Sequence, residues 1–126
     1  MKILKKTVLP ILLTGIWINI SETIRWVFLI ESYWIEHYQQ LGIVFPTGPV
    51  TGIIWMIWGF MFASIIFILT RKFTLLQTTL LSWSIVFVML WVVLENVNML
   101  PAGMLWIVVP LSLLEVYVGA WICKRY

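Results

Sequence analysis

The sequence predicts an all-α integral membrane protein, a four-helix bundle whose chain crosses the bilayer in an up-down-up-down order. Of its 126 residues, 63% are hydrophobic and only 10% are charged. Soluble domains are typically about 45–50% apolar and about 25% charged. The apolar residues fall into four runs, each close to the roughly 20 residues that cross a bilayer core as a helix. Lipid offers backbone N–H and C=O groups no partner, so these runs must be helices.

The four predicted helices cover residues 7–30, 47–69, 73–97 and 103–122. The second and third are joined by Thr70-Arg71-Lys72 alone, and the third and fourth by a short segment that contains Pro101 and Gly103. Such short connections favour antiparallel neighbours. No stretch long enough for a soluble domain is left over, so we expect residues 1–126 to form a single domain.

The basic residues predict the orientation of the chain. Seven of the eight lie before the first helix, between the second and third helices, or after the fourth (Lys2, Lys5, Lys6, Arg71, Lys72, Lys124 and Arg125). The positive-inside rule therefore predicts cytoplasmic N- and C-termini, in a bacterial-type inner membrane or a plasma membrane. Because this charge follows the topology, we expect no nucleic-acid partner, which would need a basic water-facing surface.

The longest connection, between the first and second helices, contains an amphipathic stretch at about 32–41. Its apolar side chains share one helical side (Trp34, Ile35, Tyr38 and Leu41), and Glu36, Gln39 and Gln40 face elsewhere. This pattern predicts a short helix in the membrane interface. It would act as an anchor, or alternatively as a lid.

Small residues in the second helix predict a close helix contact. Gly48/Gly52 and Gly59/Ala63 form two small-xxx-small steps, which let backbones approach in a membrane. They allow either close packing of helices within the bundle or contact between two copies of the chain in a homodimer. The single cysteine, Cys123, excludes an internal disulfide, and we expect it to be an inert boundary residue rather than an acylation site.

A polar stripe interrupts the first helix. Asn19, Glu22 and Arg25 are spaced three residues apart and therefore lie close to one helical face. Ionisable groups at the centre of a membrane helix cost roughly 2.5–3.5 kcal/mol each on insertion scales, and they usually face the bundle interior. In the structural interpretation, Glu22 and Arg25 pair only to hold the helix in place, or Arg25 extends toward the headgroups.

In the functional interpretation, the stripe is one wall of a ligand pocket that opens toward the outer half of the membrane. Trp55 supplies an apolar wall, and Glu95 orients the ligand. Glu115, in the fourth helix, is the candidate for proton coupling, because burial disfavours its charged form. We expect a protein that binds, and by extension translocates, a small amphipathic or charged ligand.

Two other classes of function stay open at this point. One is an accessory or assembly subunit of a larger membrane complex, and the other is a lipid-modifying enzyme that uses two carboxylates. The only histidine, His37, lies in the outer connection, and no glycine-rich phosphate loop is present. We therefore expect no metal site and no cofactor, and an enzyme is the least favoured class.

Overall fold

The computed structural model describes residues 2–126, and this range consists of four long helices without a β-strand. They are α1 (Lys2–Gln40), α2 (Pro49–Thr70), α3 (Leu75–Asn96) and α4 (Leu105–Arg125). All four are long and apolar enough to cross a membrane. The predicted all-α, four-helix membrane bundle is therefore confirmed.

The first helix is much longer than its neighbours. It has 39 residues, or about 58 Å at roughly 1.5 Å per residue. The amphipathic stretch predicted as a separate interfacial helix is helical, over Glu31–Gln40, but it continues α1 through a π-helical turn at Trp26–Ile30. A second π-helical turn, Ser84–Val88, lies in the middle of α3.

Contacts between helices show that consecutive helices run antiparallel. Thr14 near the start of α1 hydrogen-bonds with Cys123 near the end of α4, at 3.1 Å. Arg71, just after α2, donates to the backbone oxygen of Cys123 at 3.2 Å, where a cation favourably caps the C-terminus of a helix. The start of α1, the α2–α3 turn and the end of α4 therefore lie at one end of the bundle, here called the terminal end. The opposite end is called the loop end.

At the loop end, the end of α3 is tied to the extension of α1. The N–H of Met99 donates to the oxygen of Leu94 (2.8 Å) and that of Asn98 to the oxygen of Glu95 (3.2 Å). Asn98 has a φ of 59°. These are the bonds and the left-handed residue of a Schellman C-cap. His37 Nε2 donates to the oxygen of Asn98 at 2.6 Å, so the cap also fixes the α1 extension.

The core lies where α1, α2 and α4 approach each other. Five of its fully buried or nearly fully buried apolar residues are Ile18, Phe62, Ala63, Ile66 and Val116. Glycines allow the approach: a Cβ atom at Gly59 would lie 2.7 Å from Asn19 Nδ2, and one at Gly119 would lie 3.2 Å from Thr14 Cγ2.

The two small-residue steps of α2 have different surroundings. Gly59 and Ala63 are buried inside the bundle. A Cβ atom at Gly48 or Gly52 would meet no atom within 4 Å. The second step therefore serves internal packing, and a homodimer seam at Gly48/Gly52 stays a prediction.

Between the loop end and the bundle centre, aromatic rings dominate the core. Phe87 of α3 contacts Trp58 and Phe62 of α2, with ring centroids 6.0 and 5.6 Å apart. Trp91, one turn further along α3, lies 5.6 Å from Phe87. Inclined ring pairs at these distances are favourable beyond the area they bury.

The α1–α2 contact gives a stability prediction. A Cβ atom at Gly15 would overlap the ring of Phe60 at Cδ1 and Cε1. Gly15→Ala should therefore lower the free energy of unfolding by about 1–3 kcal/mol, as overpacking does. Gly52→Ala is the matched control and should be neutral or slightly stabilising, because alanine favours helix. Thermal unfolding in mild detergent measures both, and equal stability of the two variants would contradict the α1–α2 packing.

Candidate functional site

Arg25 lies at the centre of a buried charged cluster. Its side chain is 5% exposed. Its Nη2 atom donates a short hydrogen bond to Glu22 Oε1, one turn earlier on α1, and lies 3.9 Å from Glu115 Oε2 of α4. One guanidinium is thus shared by two carboxylates that come from different helices.

The antiparallel arrangement of α1 and α4 explains how Arg25 reaches Glu115. Trp17 Nε1 donates to the backbone oxygen of Glu115 at 2.9 Å, which sets the register of the two helices. Arg25 is eight residues beyond Trp17, or about 12 Å along the axis. Side chains on a helix lean toward its N-terminus, so Arg25 and Glu115 lean toward each other along the axis and their charged groups meet between the two levels.

The cluster leaves several polar atoms without a partner. Arg25 Nε and Nη1 and both carboxylate oxygens of Glu115 are buried and make no hydrogen bond to any residue in 2–126. A buried polar group without a partner costs roughly 1–3 kcal/mol, and more when it is charged. With both carboxylates ionised, the cluster would also carry an uncompensated negative charge. The site therefore suits an additional group that donates hydrogen bonds or neutralises charge: a proton, water or part of a ligand.

Two irregular helix turns flank the cluster. The π-helical turn of α1 begins at Trp26, immediately after Arg25. The π-helical turn of α3 contains Phe87, whose ring centroid lies 5.6 Å from Arg25 Cζ. The guanidinium is therefore stabilised by the electron-rich ring face as well as by carboxylate. Single π-helical turns occur frequently at functional sites.

Asn19 lies near the cluster on α1, but its amide already has partners. Its Nδ2 atom donates to the backbone oxygen of Gly15 at 2.8 Å and to that of Met56 at 3.5 Å. The second bond joins α1 to α2. Asn19 therefore contributes to helix packing, and its predicted contact with a ligand stays a prediction.

The other two predicted pocket residues face outward. Trp55 is 53% exposed and packs edge-on against Trp58, with the ring centroids 5.6 Å apart. Glu95 is exposed in the last turn of α3. In the described part of the chain, no hydrogen bond or ion pair joins either residue to Glu22, Arg25 or Glu115. The structure brings together Glu22, Arg25 and Glu115, and the roles of Trp55 and Glu95 stay predictions.

Access to the cluster runs through Glu22. Its side chain is 23% exposed, compared with 5% for Arg25 and 0% for Glu115. Two open surface grooves, of about 370 and 440 Å³, lie elsewhere, and none of the three cluster residues lines them. Within residues 2–126, no three His, Cys, Asp or Glu side chains are grouped closely enough to hold a metal ion.

Hydroxyl side chains between α3 and α4 were not predicted as part of a site. Trp83 Nε1 donates to Ser112 Oγ at 2.9 Å. Thr78 Oγ1 and Ser82 Oγ, on the same side of α3, are buried and have no partner among residues 2–126. Their spacing of four residues placed them on one helical face, and this was the signal in the sequence that could have identified them.

The cluster predicts a specific pattern of stabilities. Arg25→Met keeps much of the side-chain volume but leaves two carboxylates without a cation, so it should lower the free energy of unfolding by about 3–5 kcal/mol. The triple variant Glu22→Gln/Arg25→Met/Glu115→Gln removes all three charges and should recover most of this loss. Thermal unfolding in mild detergent measures both.

Arg125→Met is the matched control for this series. It removes an exposed cation at the terminal end and should change stability little. A wild-type unfolding temperature for Arg25→Met would show that the cluster does not depend on the guanidinium, and it would contradict the ion-pair geometry described above.

The chain matches no protein family model, no curated protein and no solved structure. The charged cluster and its surroundings are therefore the basis on which a function is proposed.

Proposed function

We propose that this membrane protein binds a small charged or amphipathic ligand at the Glu22–Arg25–Glu115 cluster and moves it across the bilayer. The observation that carries the proposal is the set of buried atoms without partners on Arg25 and Glu115. A ligand, a proton and water are the groups that satisfy such atoms.

A purely structural role accounts less well for the composition of the cluster. Glu22 and Arg25 form a neutral pair within α1, and that pair alone would lower the cost of inserting α1. Glu115 adds a second carboxylate at the same guanidinium. A buried carboxylate recovers the free energy of its desolvation only with excellent geometry and hydrogen bonds to every lone pair. The two carboxylate oxygens of Glu115 have no hydrogen-bond partner in the described chain. Expensive groups within a membrane are usually functional.

Each member of the cluster has a distinct role in this proposal. Glu22 is the accessible carboxylate and contacts the ligand first. Arg25 holds the two carboxylates together and binds any anionic part of the ligand. Glu115, enclosed between helices, takes up or releases a proton as the charge of the site changes, because a net charge is costly in a medium of low dielectric constant.

A second candidate function is that of an accessory subunit, and the extension of α1 favours it. α1 has 39 residues, whereas the other helices have 21 or 22. The groove of about 440 Å³ follows this extension and combines apolar with acidic lining residues, among them Phe28, Ile35, Glu31 and Glu36. In this alternative the groove binds a helix of a larger complex, and the charged cluster only fixes α1.

The proposed orientation places the terminal end in the cytoplasm. Seven of the eight basic residues belong to that end, and its opposite carries Glu31, Glu36 and Glu95 without a Lys or Arg. In a Cys123→Ser background, Gln40→Cys should react with a membrane-impermeant maleimide on intact cells. Lys2→Cys should react only after permeabilisation, and the reverse pattern would contradict the orientation.

Ligand binding predicts a selective change in thermal stability. A compound that binds the folded protein at 100 times its dissociation constant stabilises it by about 2.7 kcal/mol. In a panel of small organic cations, anions and zwitterions, at least one class should raise the unfolding temperature of the wild type in detergent. Glu115→Gln should abolish that shift, since glutamine cannot take up or release a proton when a ligand changes the charge of the site.

The variant Glu95→Gln distinguishes a binding site limited to the cluster from the wider predicted pocket. It should keep the shift if the site is limited to the cluster, and lose it if Glu95 orients the ligand. A compound that shifts the wild type should then be taken up by proteoliposomes unchanged. If no compound shifts the wild type, while Glu31→Gln/Glu36→Gln prevents cross-linking to a co-purifying membrane protein, the subunit function replaces the proposed one.

A further inference from the structure

We propose that Thr78 and Ser82 line a hydrated path that carries protons between Glu115 and the terminal end of the bundle. This inference rests on the proposed function in one respect only, namely that Glu115 exchanges a proton. It adds residues of α3 to the site and assigns the proton a direction of entry different from that of the ligand.

The first observation is a contrast between neighbouring hydroxyls. Thr78, Thr79 and Ser82 are all buried in the half of α3, Leu75–Trp83, that packs against both α2 and α4. Thr79 Oγ1 donates to the backbone oxygen of Leu75 at 2.8 Å, as hydroxyls in helices often do. Thr78 Oγ1 and Ser82 Oγ make no such bond in the described chain. These two hydroxyls are therefore free to bind something between the helices.

The second observation is the level of these hydroxyls relative to Glu115. The bond from Trp83 Nε1 to Ser112 Oγ sets the register of α3 and α4. Glu115 lies three residues from Ser112 toward the terminal end, or about 4.5 Å, and Thr78 lies four residues from Ser82 in the same direction, or about 6 Å. The backbone of Glu115 therefore lies between the levels of Ser82 and Thr78, and its side chain leans toward the loop end, where the carboxylate meets Arg25.

Water is the group that best connects these atoms. A buried water in a protein usually binds about three polar groups that otherwise lack partners, and here a carboxylate and two hydroxyls occur within about one helical turn. A hydroxyl donates one hydrogen bond and accepts others, so it passes a proton along a chain of waters. A methyl group in its place does neither.

The surroundings give the path its direction. Toward the loop end, the rings of Phe87 and Trp91 close the space beside α3 with apolar surface. Toward the terminal end, the buried side chains include the polar Thr14 and Thr70, although their hydroxyls donate to the backbone oxygens of Gly119 and Phe67. In the described part of the chain, the charged groups that act on Glu115 come from α1, namely Arg25 and Glu22, and the Ser21 hydroxyl of the same helix also approaches it.

Hydrogen–deuterium exchange of the protonated Glu115 carboxyl, followed by infrared spectroscopy, tests the path without any ligand. The carboxyl band that disappears in Glu115→Gln identifies the group. Thr78→Val and Ser82→Ala should each slow its exchange by about tenfold or more, equivalent to at least about 1.4 kcal/mol in the barrier. Thr79→Val, with a bonded hydroxyl one residue away, should exchange at the wild-type rate.

Thr78→Ser keeps the hydroxyl and removes only a methyl group, so it should restore wild-type exchange and rule out a packing effect. Unchanged exchange in both Thr78→Val and Ser82→Ala would overturn the proposal, and so would an equal slowing in Thr79→Val. The proposal also fails if Glu115→Gln removes no carboxyl band. Because no ligand is used, a negative compound screen would contradict the ligand-binding function and leave this result standing.

Thermal unfolding gives an independent measurement on the same variants. If Thr78 Oγ1 were dry, replacing it by a methyl group would remove an unsatisfied polar group, and Thr78→Val would be more stable than the wild type. If the hydroxyl binds water that also contacts Glu115, the substitution should leave stability unchanged or lower it. A clear stabilisation would therefore overturn the proposal even if the exchange rates were ambiguous.

Discussion

The charge of Arg25 is the constraint on which the arrangement of the bundle centre depends. A guanidinium cannot lose its proton in a membrane protein interior, so it must be matched by anionic groups, rings or water. Glu22 from its own helix, Glu115 from α4 and the ring of Phe87 from α3 all meet this one group. Helices α1, α3 and α4 are therefore brought into register by electrostatics as well as by packing, and a rotation of α1 or α4 would expose a charge to lipid.

Close packing of the helices also fixes this register. Gly15 and Gly59 allow α1 and α2 to approach so closely that an added Cβ atom would overlap Phe60 or Asn19. Gly119 does the same for α1 and α4 near Thr14. In lipid, close packing and hydrogen bonds replace the hydrophobic effect between helices. The glycines thus set the distances that let Arg25 reach across to Glu115.

Sequence analysis predicted the helices well and the site only partly, for a physical reason. Membrane helices can be identified from their long runs of apolar residues. The Glu22–Arg25 pair follows from the spacing of three residues within one helix. The contact of Arg25 with Glu115 depends on the relative rotation and height of α1 and α4, which no local pattern encodes. Helical spacing could not reveal this contact, because it is made by two long side chains that lean toward each other along antiparallel helices. The continuation of α1 past Ile30 was likewise hidden, because the polar residues that follow are typical of a connection.

The two halves of α3 divide the space around the cluster. Leu75–Trp83 carries buried hydroxyls, and beyond this segment the same helix carries the buried rings of Phe87 and Trp91. Polar groups attract water and aromatic rings exclude it, so the terminal side of the cluster is suited to protons and the other side is not. Glu22 retains its exposure on α1, away from these hydroxyls. In the function that we propose, separate routes for a proton and a ligand are joined through one guanidinium, which would couple the movement of the two.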